Sequence, residues 1–178
     1  MFKRIIVGFD GSAHARKALG IAGDLAKSHR AALVIVHALS DAPLTKAERQ
    51  LAETEYGMKG LAERPPVTLI KSAESDPRLP FTIAGELPSN AALRARSEIA
   101  QALLLDAQQC ALRQGVETVE IRVEAGDPAR VILDLAKGEK ADLIVIGSRG
   151  FSDLEGLVFG STSHKVTHLA PCSCLTVS

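Results

Sequence analysis

The chain has 178 residues, 46% hydrophobic and 24% charged, the composition of an ordinary globular domain large enough to bury a core. Its 21 Lys plus Arg balance 21 Asp plus Glu, which leaves no basic excess to neutralise a phosphodiester backbone or an anionic leaflet, so neither nucleic acid nor membrane is an expected partner. Five Phe, one Tyr and no Trp call for an aliphatic core, and three Cys make no disulfide framework and suit a reducing cytoplasm.

Met1-Phe-Lys-Arg leads straight into residues 4–9 (Arg-Ile-Ile-Val-Gly-Phe), a β-branched run that reads as a buried strand, with no leader pattern before it. Asp10-Gly11-Ser12 breaks that run, and Ser12 suits a helix N-cap. Ala15, Ala18, Leu19, Ala22, Leu25, Ala26 and His29 then recur at spacings of three and four, one face of a helix. Residues 32–39 form a second continuous apolar strand. Strand, helix and strand within forty residues make a βαβ unit, whose strands are parallel.

Residues 41–90 interrupt the pattern. Thr45–Arg64 reads as a charged helix weakened by Gly57 and Gly60, and residues 65–88, with five prolines, read as an irregular excursion. The stretch is expected to be an insertion within a single 1–178 domain: a lid packed over the sheet edge, a partner-binding arm or a loose loop.

The alternation resumes at Leu93, whose helix runs through Leu103, Leu104 and Ala107 and is closed by Gln114-Gly115. Val119, Ile121 and Val123 alternate with charges, as a less buried strand does. Asp127-Pro128 caps a helix that carries to Gly138. Residues 142–147 are the most apolar strand of the chain, 162–169 a short helix ended by Pro171, and 174–178 a last strand. The longest apolar runs are strand length and too short to cross a bilayer. The order β-α-β-insert-α-β-α-β-α-β predicts an α/β fold, a doubly wound, mostly parallel five-stranded sheet with helices on both faces. Ligands of such sheets bind beyond the carboxyl ends of the strands at the switch point, which places attention on Asp10, Ala38–Leu39 and Gly147.

After the fourth of these strands comes Gly147-Ser-Arg-Gly150, and ten residues on Gly160-Ser161-Thr162-Ser163. Gly147 and Gly150 leave no Cβ in the way of converging backbone N–H groups. Gly160-Ser161 opens a helix, where unpaired N–H groups favour a phosphate. The hydroxyls of Ser161 and Ser163 can add donors or reach a divalent cation, and Arg149 can meet an outer phosphate or face solvent. No Gly-Lys-Ser/Thr makes this a Walker loop, and no Gly-x-Gly-x-x-Gly makes it a dinucleotide fingerprint. On physical grounds alone, a glycine-bearing strand-to-helix connection explains these residues equally well.

The spacing Gly147-x₂-Gly150-x₉-Gly160-Ser161 resembles the nucleotide-binding pattern of the universal stress protein (UspA-like) family. The resemblance extends to Ile6-Val-Gly-Phe-Asp10-Gly-Ser12, Leu33-Val-Ile-Val-His37-Ala, Gly126-Asp-Pro-Ala129, Ala141-Asp-Leu-Ile-Val-Ile-Gly147 and Leu169-Ala-Pro-Cys172, all of the chain but the insertion. It implies a Rossmann-like fold akin to the adenine nucleotide alpha hydrolases, and ATP, or ADP or AMP, as ligand. Asp10 would lie against the ribose or adenine and Ala38 beside the adenine through its backbone. Gly147, Gly150, Gly160, Ser161 and Thr162 would hold the phosphates, mostly by N–H groups. It further implies a stress-response regulator that homodimerises through the last strand, 174–178. The 41–90 insertion, far longer than the family's usual connection, departs from the pattern and is the stretch that could take a protein partner, cap the base or alter dimer geometry. Two alternatives remain at this point: a slow ATPase or adenylate-handling enzyme with Mg²⁺ or Mn²⁺ bridging the phosphates, and a nucleotide-independent dimeric adaptor. Cys172-Ser-Cys174 departs from the family's commoner Cys-Pro-Val.

Other features have plainer readings. Asp10 is also a natural turn former and Asp127 a natural cap. Cys172 and Cys174 read as buried thiols, and the five His as solvated or packing residues, although His164 and His168 stand at metal-binding spacing. No nucleophile–base–orienter trio stands out, so an efficient hydrolase is not expected.

Overall fold

A computed structural model describes residues 1–39, 81–84, 91–150 and 160–178, with backbone alone for 81–84 and 91–96. The expected helix at Thr45–Arg64 lies outside the described residues, as do 65–80 of the proline-rich stretch and residues 151–159 of the glycine motif.

The strands are β1 (Arg4–Gly8), β2 (Ala32–Leu39), β3 (Phe81–Ala84), β4 (Val119–Ala125), β5 (Leu143–Gly147) and β6 (Ser173–Val177). The helices are α1 (Ala13–His29), α2 (Ala91–Arg113), α3 (Pro128–Gly138) and α4 (Ser161–Leu169). Every strand pair is parallel, in the order β3-β4-β2-β1-β5-β6. The doubly wound sheet is thus present with all five expected strands. It has one more: Phe81–Ala84, expected to be irregular, pairs with Ile121–Glu124 as an edge strand. Four residues between Pro80 and Gly85, three of them β-prone, are too short a run to announce a strand; the neighbour β4 supplies the hydrogen bonds that make it one.

Alternation along the buried strands sorts side chains to two aliphatic layers. Ile5, Val7, Leu33, Ile35, Leu143 and Val145 pack under α1 and α2, while Ile6, Val34, Val36, Ile144 and Ile146 pack under α3 and α4. The helices turn small residues to the sheet: Ala15, Ala18, Ala22 and Ala26 of α1 and Ala129 and Ala136 of α3 are all buried. Alanine faces let a helix axis approach closely, which later matters at Gly147. The caps are those the sequence announces. Ser12 Oγ accepts from Ala15 N at 3.2 Å, and Asp127 Oδ1 accepts from Arg130 N at 3.1 Å with Pro128 next in the chain. Gly115 closes α2 at φ +94°, a conformation a side chain would resist.

The chain moves from β1 to β2 on one side and later returns to β5 on the other side of β1. The switch point therefore lies between β1 and β5. Gly8 is level with both Val36 and Ile146. Two residues further on in each chain segment, Asp10, Ala38 and Ser148 mark the carboxyl end of the sheet.

Candidate functional site

Three consecutive residues after β5 each tie to a different element. Ser148 donates its N–H to the Val177 carbonyl at 2.7 Å, and its own carbonyl accepts from Gly160 N at 2.7 Å and Ser163 Oγ at 2.8 Å. The Arg149 carbonyl accepts from Ser12 Oγ at 3.4 Å. Gly150 backs onto Asp10 so closely that a Cβ there would stand 2.6 Å from Asp10 Oδ2. Gly147 meets α1 in the same way. A Cβ on it would lie 2.9 Å from both Ala15 N and the His14 carbonyl carbon, so the small-residue contact continues to the last residue of β5.

Asp10 is held by its own turn. Oδ1 accepts from Ser12 N at 2.9 Å, an Asx turn, with Gly11 between them at φ +85°. That bond occupies one carboxylate oxygen and leaves Oδ2 on the side of Gly150.

Ala38 belongs to the part of β2 that outruns β1. Even-numbered residues of β2 turn their backbone polar groups to β1 (Ala32 N bonds Lys3 O, and Val36 O accepts from Phe9 N), while odd ones turn to β4, as Leu33 does to Thr118. The N–H and C=O of Ala38 therefore face the space β1 vacates when it bends away at Asp10.

Helix α4 begins at Gly160, which offers no side-chain cap. The helix's first internal bond is from His164 N to Gly160 O at 3.0 Å. Among the described residues, the N–H groups of Ser161, Thr162 and Ser163 have no partner, as the first turn of an uncapped helix requires. Such a terminus attracts anions. Two residues behave otherwise than the sequence suggests. The Gly160 N–H bonds the Ser148 carbonyl and so is not turned to a ligand. The Ser163 side chain, 3% exposed, shares its hydroxyl proton between the carbonyls of Ser148 and Gly160. The Gly160 N–H and the Ser163 hydroxyl therefore close the loop, whereas Ser161 is exposed and Thr162 half-buried.

Only three buried side-chain polar atoms lack a partner among the described residues, and two belong to this loop: Ser148 Oγ and Arg149 Nε. A buried donor left unpaired costs about 1–3 kcal/mol, which a water or a bound group at this point relieves. The Ser148 side chain is one that the sequence reading passed over; an x between two glycines carries no signal. His37 is another. Its ring Nδ1 lies 2.8 Å from the Phe9 carbonyl, although the sequence suggested only a solvated or packing residue.

The remaining candidates are structural. Burial raises the thiols of Cys172 and Cys174 above their usual range. His164 and His168 lie ring to ring at 4.5 Å, and among the described residues no group of three His, Cys, Asp or Glu stands ready for a metal ion. Asp127 is a cap, held below the usual carboxylate range by the Arg130 N–H and then by Lys165, whose Nζ is 3.3 Å away.

A doubly wound parallel sheet with helices on both faces defines an α/β protein of the Rossmann-like class. The family model of the universal stress protein family matches residues 1–178. A universal stress protein of Thermus aquaticus is 33% identical over 177 residues, covering 99% of each chain. The universal stress protein UspA from Lactobacillus plantarum superposes with a TM-score of 0.69 at 22% identity over 99% of this chain and 98% of its own. A universal stress protein crystallised in complex with cAMP superposes with a TM-score of 0.61 at 25% identity over 99% and 97%. The chain belongs to the universal stress protein family.

Proposed function

We propose that this protein is a regulatory receptor for an adenine nucleotide, in the cytoplasmic stress response, with ATP, ADP or AMP held by Asp10, Ala38, residues 147–150 and residues 160–163. The observation that carries this reading is the junction of an uncapped helix start with two orphaned buried donors, Ser148 Oγ and Arg149 Nε, directly beside the Asp10 turn. The N–H groups of Ser161, Thr162 and Ser163 and the Arg149 guanidinium take the phosphoryl oxygens. The backbone of Ala38 takes an edge of the base, and Asp10 accepts from ribose hydroxyls. Gly147 and Gly150 serve by leaving out a Cβ. The relative that binds cAMP supports the class of ligand. Calorimetry with ATP on the wild type and on Gly150→Val tests the site: a side chain there collides with Asp10 Oδ2, and undiminished affinity in the variant overturns the assignment.

The same reading extends to assembly. β6 pairs with β5 alone among the described residues, and Leu175 on it and Leu169 just before it are exposed. An open apolar edge is a liability that pairing removes, so the protein is a homodimer through 174–178. The chain is one domain in which 41–90 is inserted between β2 and α2, with β3 returning part of that insertion to the common sheet. Sedimentation of the wild type against Leu175→Lys checks the edge, with a shift to monomer expected.

A further inference from the structure

We infer that His37 is a positioning residue for the nucleotide site: it ends the β1–β2 ladder one rung early and thereby keeps the backbone of Ala38 available to a ligand. The inference deepens the nucleotide reading and rests on it for its consequence, though not for its structural part.

In a parallel pair, each residue of one strand that faces its neighbour donates to one carbonyl and accepts from the N–H two residues on. The β1–β2 ladder follows this rule up to the bond from Phe9 N to Val36 O at 2.9 Å. The next rung would join the Ala38 N–H to the Phe9 carbonyl. Among the described residues that rung is absent, and the Phe9 carbonyl bonds the His37 ring Nδ1 at 2.8 Å instead. A carbonyl oxygen cannot donate, so Nδ1 carries the proton, in the neutral ring or the imidazolium alike.

The bond has two consequences. It satisfies the Phe9 carbonyl at the point where the chain must leave the sheet, which lets the backbone swing into the Asp10 turn, with Oδ1 on Ser12 N at 2.9 Å. It also displaces the Ala38 N–H from the partner that a continuing ladder would give it. An adenine edge, which offers an acceptor nitrogen beside an amino donor, fits an N–H and a C=O presented together by one residue. Were the ladder to run on, the Ala38 N–H would be consumed and β1 would extend across the opening.

The experiment follows the amide exchange of Ala38 by NMR in nucleotide-free wild type, His37→Leu and His37→Asn, alongside ATP affinity. The Asn amide can donate from nearly the position of Nδ1. In the wild type the Ala38 amide is expected to exchange far faster than that of Val36. In His37→Leu the missing rung forms and Ala38 becomes protected, with ATP affinity falling about tenfold, the worth of one hydrogen bond. In His37→Asn both return to wild-type values. An Ala38 amide already protected in the wild type, or unchanged in His37→Leu, overturns the ladder-stop, as does an imidazole ¹⁵N spectrum of the wild type showing Nδ1 without a proton. That last measurement decides the matter even where His37→Leu fails to fold. Altered exchange with unaltered ATP affinity overturns the role in binding, and a wild type with no affinity for adenine nucleotides overturns the nucleotide reading while the exchange data still decide the structural claim.

Discussion

The two ends of the sheet are built on opposite principles. At the amino end a connected set of polar side chains is committed. Asp142 accepts from the N–H groups of Lys3 and Arg4 at 2.6 and 2.9 Å, and Arg4 pairs with Glu120 and Glu139, which Arg122 also joins. At the carboxyl end the chain places glycines, an uncapped helix and two buried donors without partners. The first end closes β1, β4 and β5 against one another; the second leaves that work undone where a ligand can complete it. The proposed site coincides with the place where the ordinary rule of polar satisfaction lapses.

The sharpest way to break this contrast is Gly147→Val. Its Cβ meets backbone of α1 at 2.9 Å, not a yielding side-chain tip, so the helix must shift. Overpacking of this kind costs about 1–3 kcal/mol or more, and both urea stability and ATP affinity are expected to fall. Gly150→Val separates the two properties. Its collision is with the Asp10 carboxylate, so ATP binding weakens about 10- to 100-fold by calorimetry while the unfolding midpoint moves little. If both variants lose stability equally, the carboxyl end is as structural as the amino end.

Asp127→Ala carries the contrast within one end, since Asp127 lies at the carboxyl side yet is fully engaged as a cap. It is expected to lose about 1 kcal/mol of stability with unchanged ATP affinity. The smallest effect concerns pH. The N–H groups of Lys3 and then Arg4 hold the Asp142 carboxyl below its ordinary 3.8. A carboxyl with a depressed folded value contributes stability that is present above about pH 3.8 and lost as pH falls through that lower value. Asp142→Asn should therefore flatten the acid limb of stability, measured by urea unfolding between about pH 2 and 6. An identical acid limb in the variant removes Asp142 from the amino-end lock.

Read from the sequence alone, the strands around Ile5–Val7, Leu33–Val36 and Leu143–Ile146 were evident because burial on both faces makes continuous apolar runs. The caps at Ser12 and Asp127 and the glycine spacing were evident because they obey local rules. β3 was not: a four-residue edge strand owes its existence to β4. Nor did the sequence show that the Gly160 N–H and the Ser163 hydroxyl turn inward to Ser148, since the resemblance transfers residues and not their bonds.

What the sequence determined by itself is therefore the aliphatic, doubly wound core and the position of its glycine-bearing loop, since periodicity, capping and backbone freedom are properties of short stretches of chain. Only the tertiary structure decided which polar groups are consumed and which are spare. Ser148, Arg149, Gly150 and His37 take their roles from partners up to 140 or so positions away in the chain, and strand register, which no local pattern encodes, brings those partners within hydrogen-bonding distance.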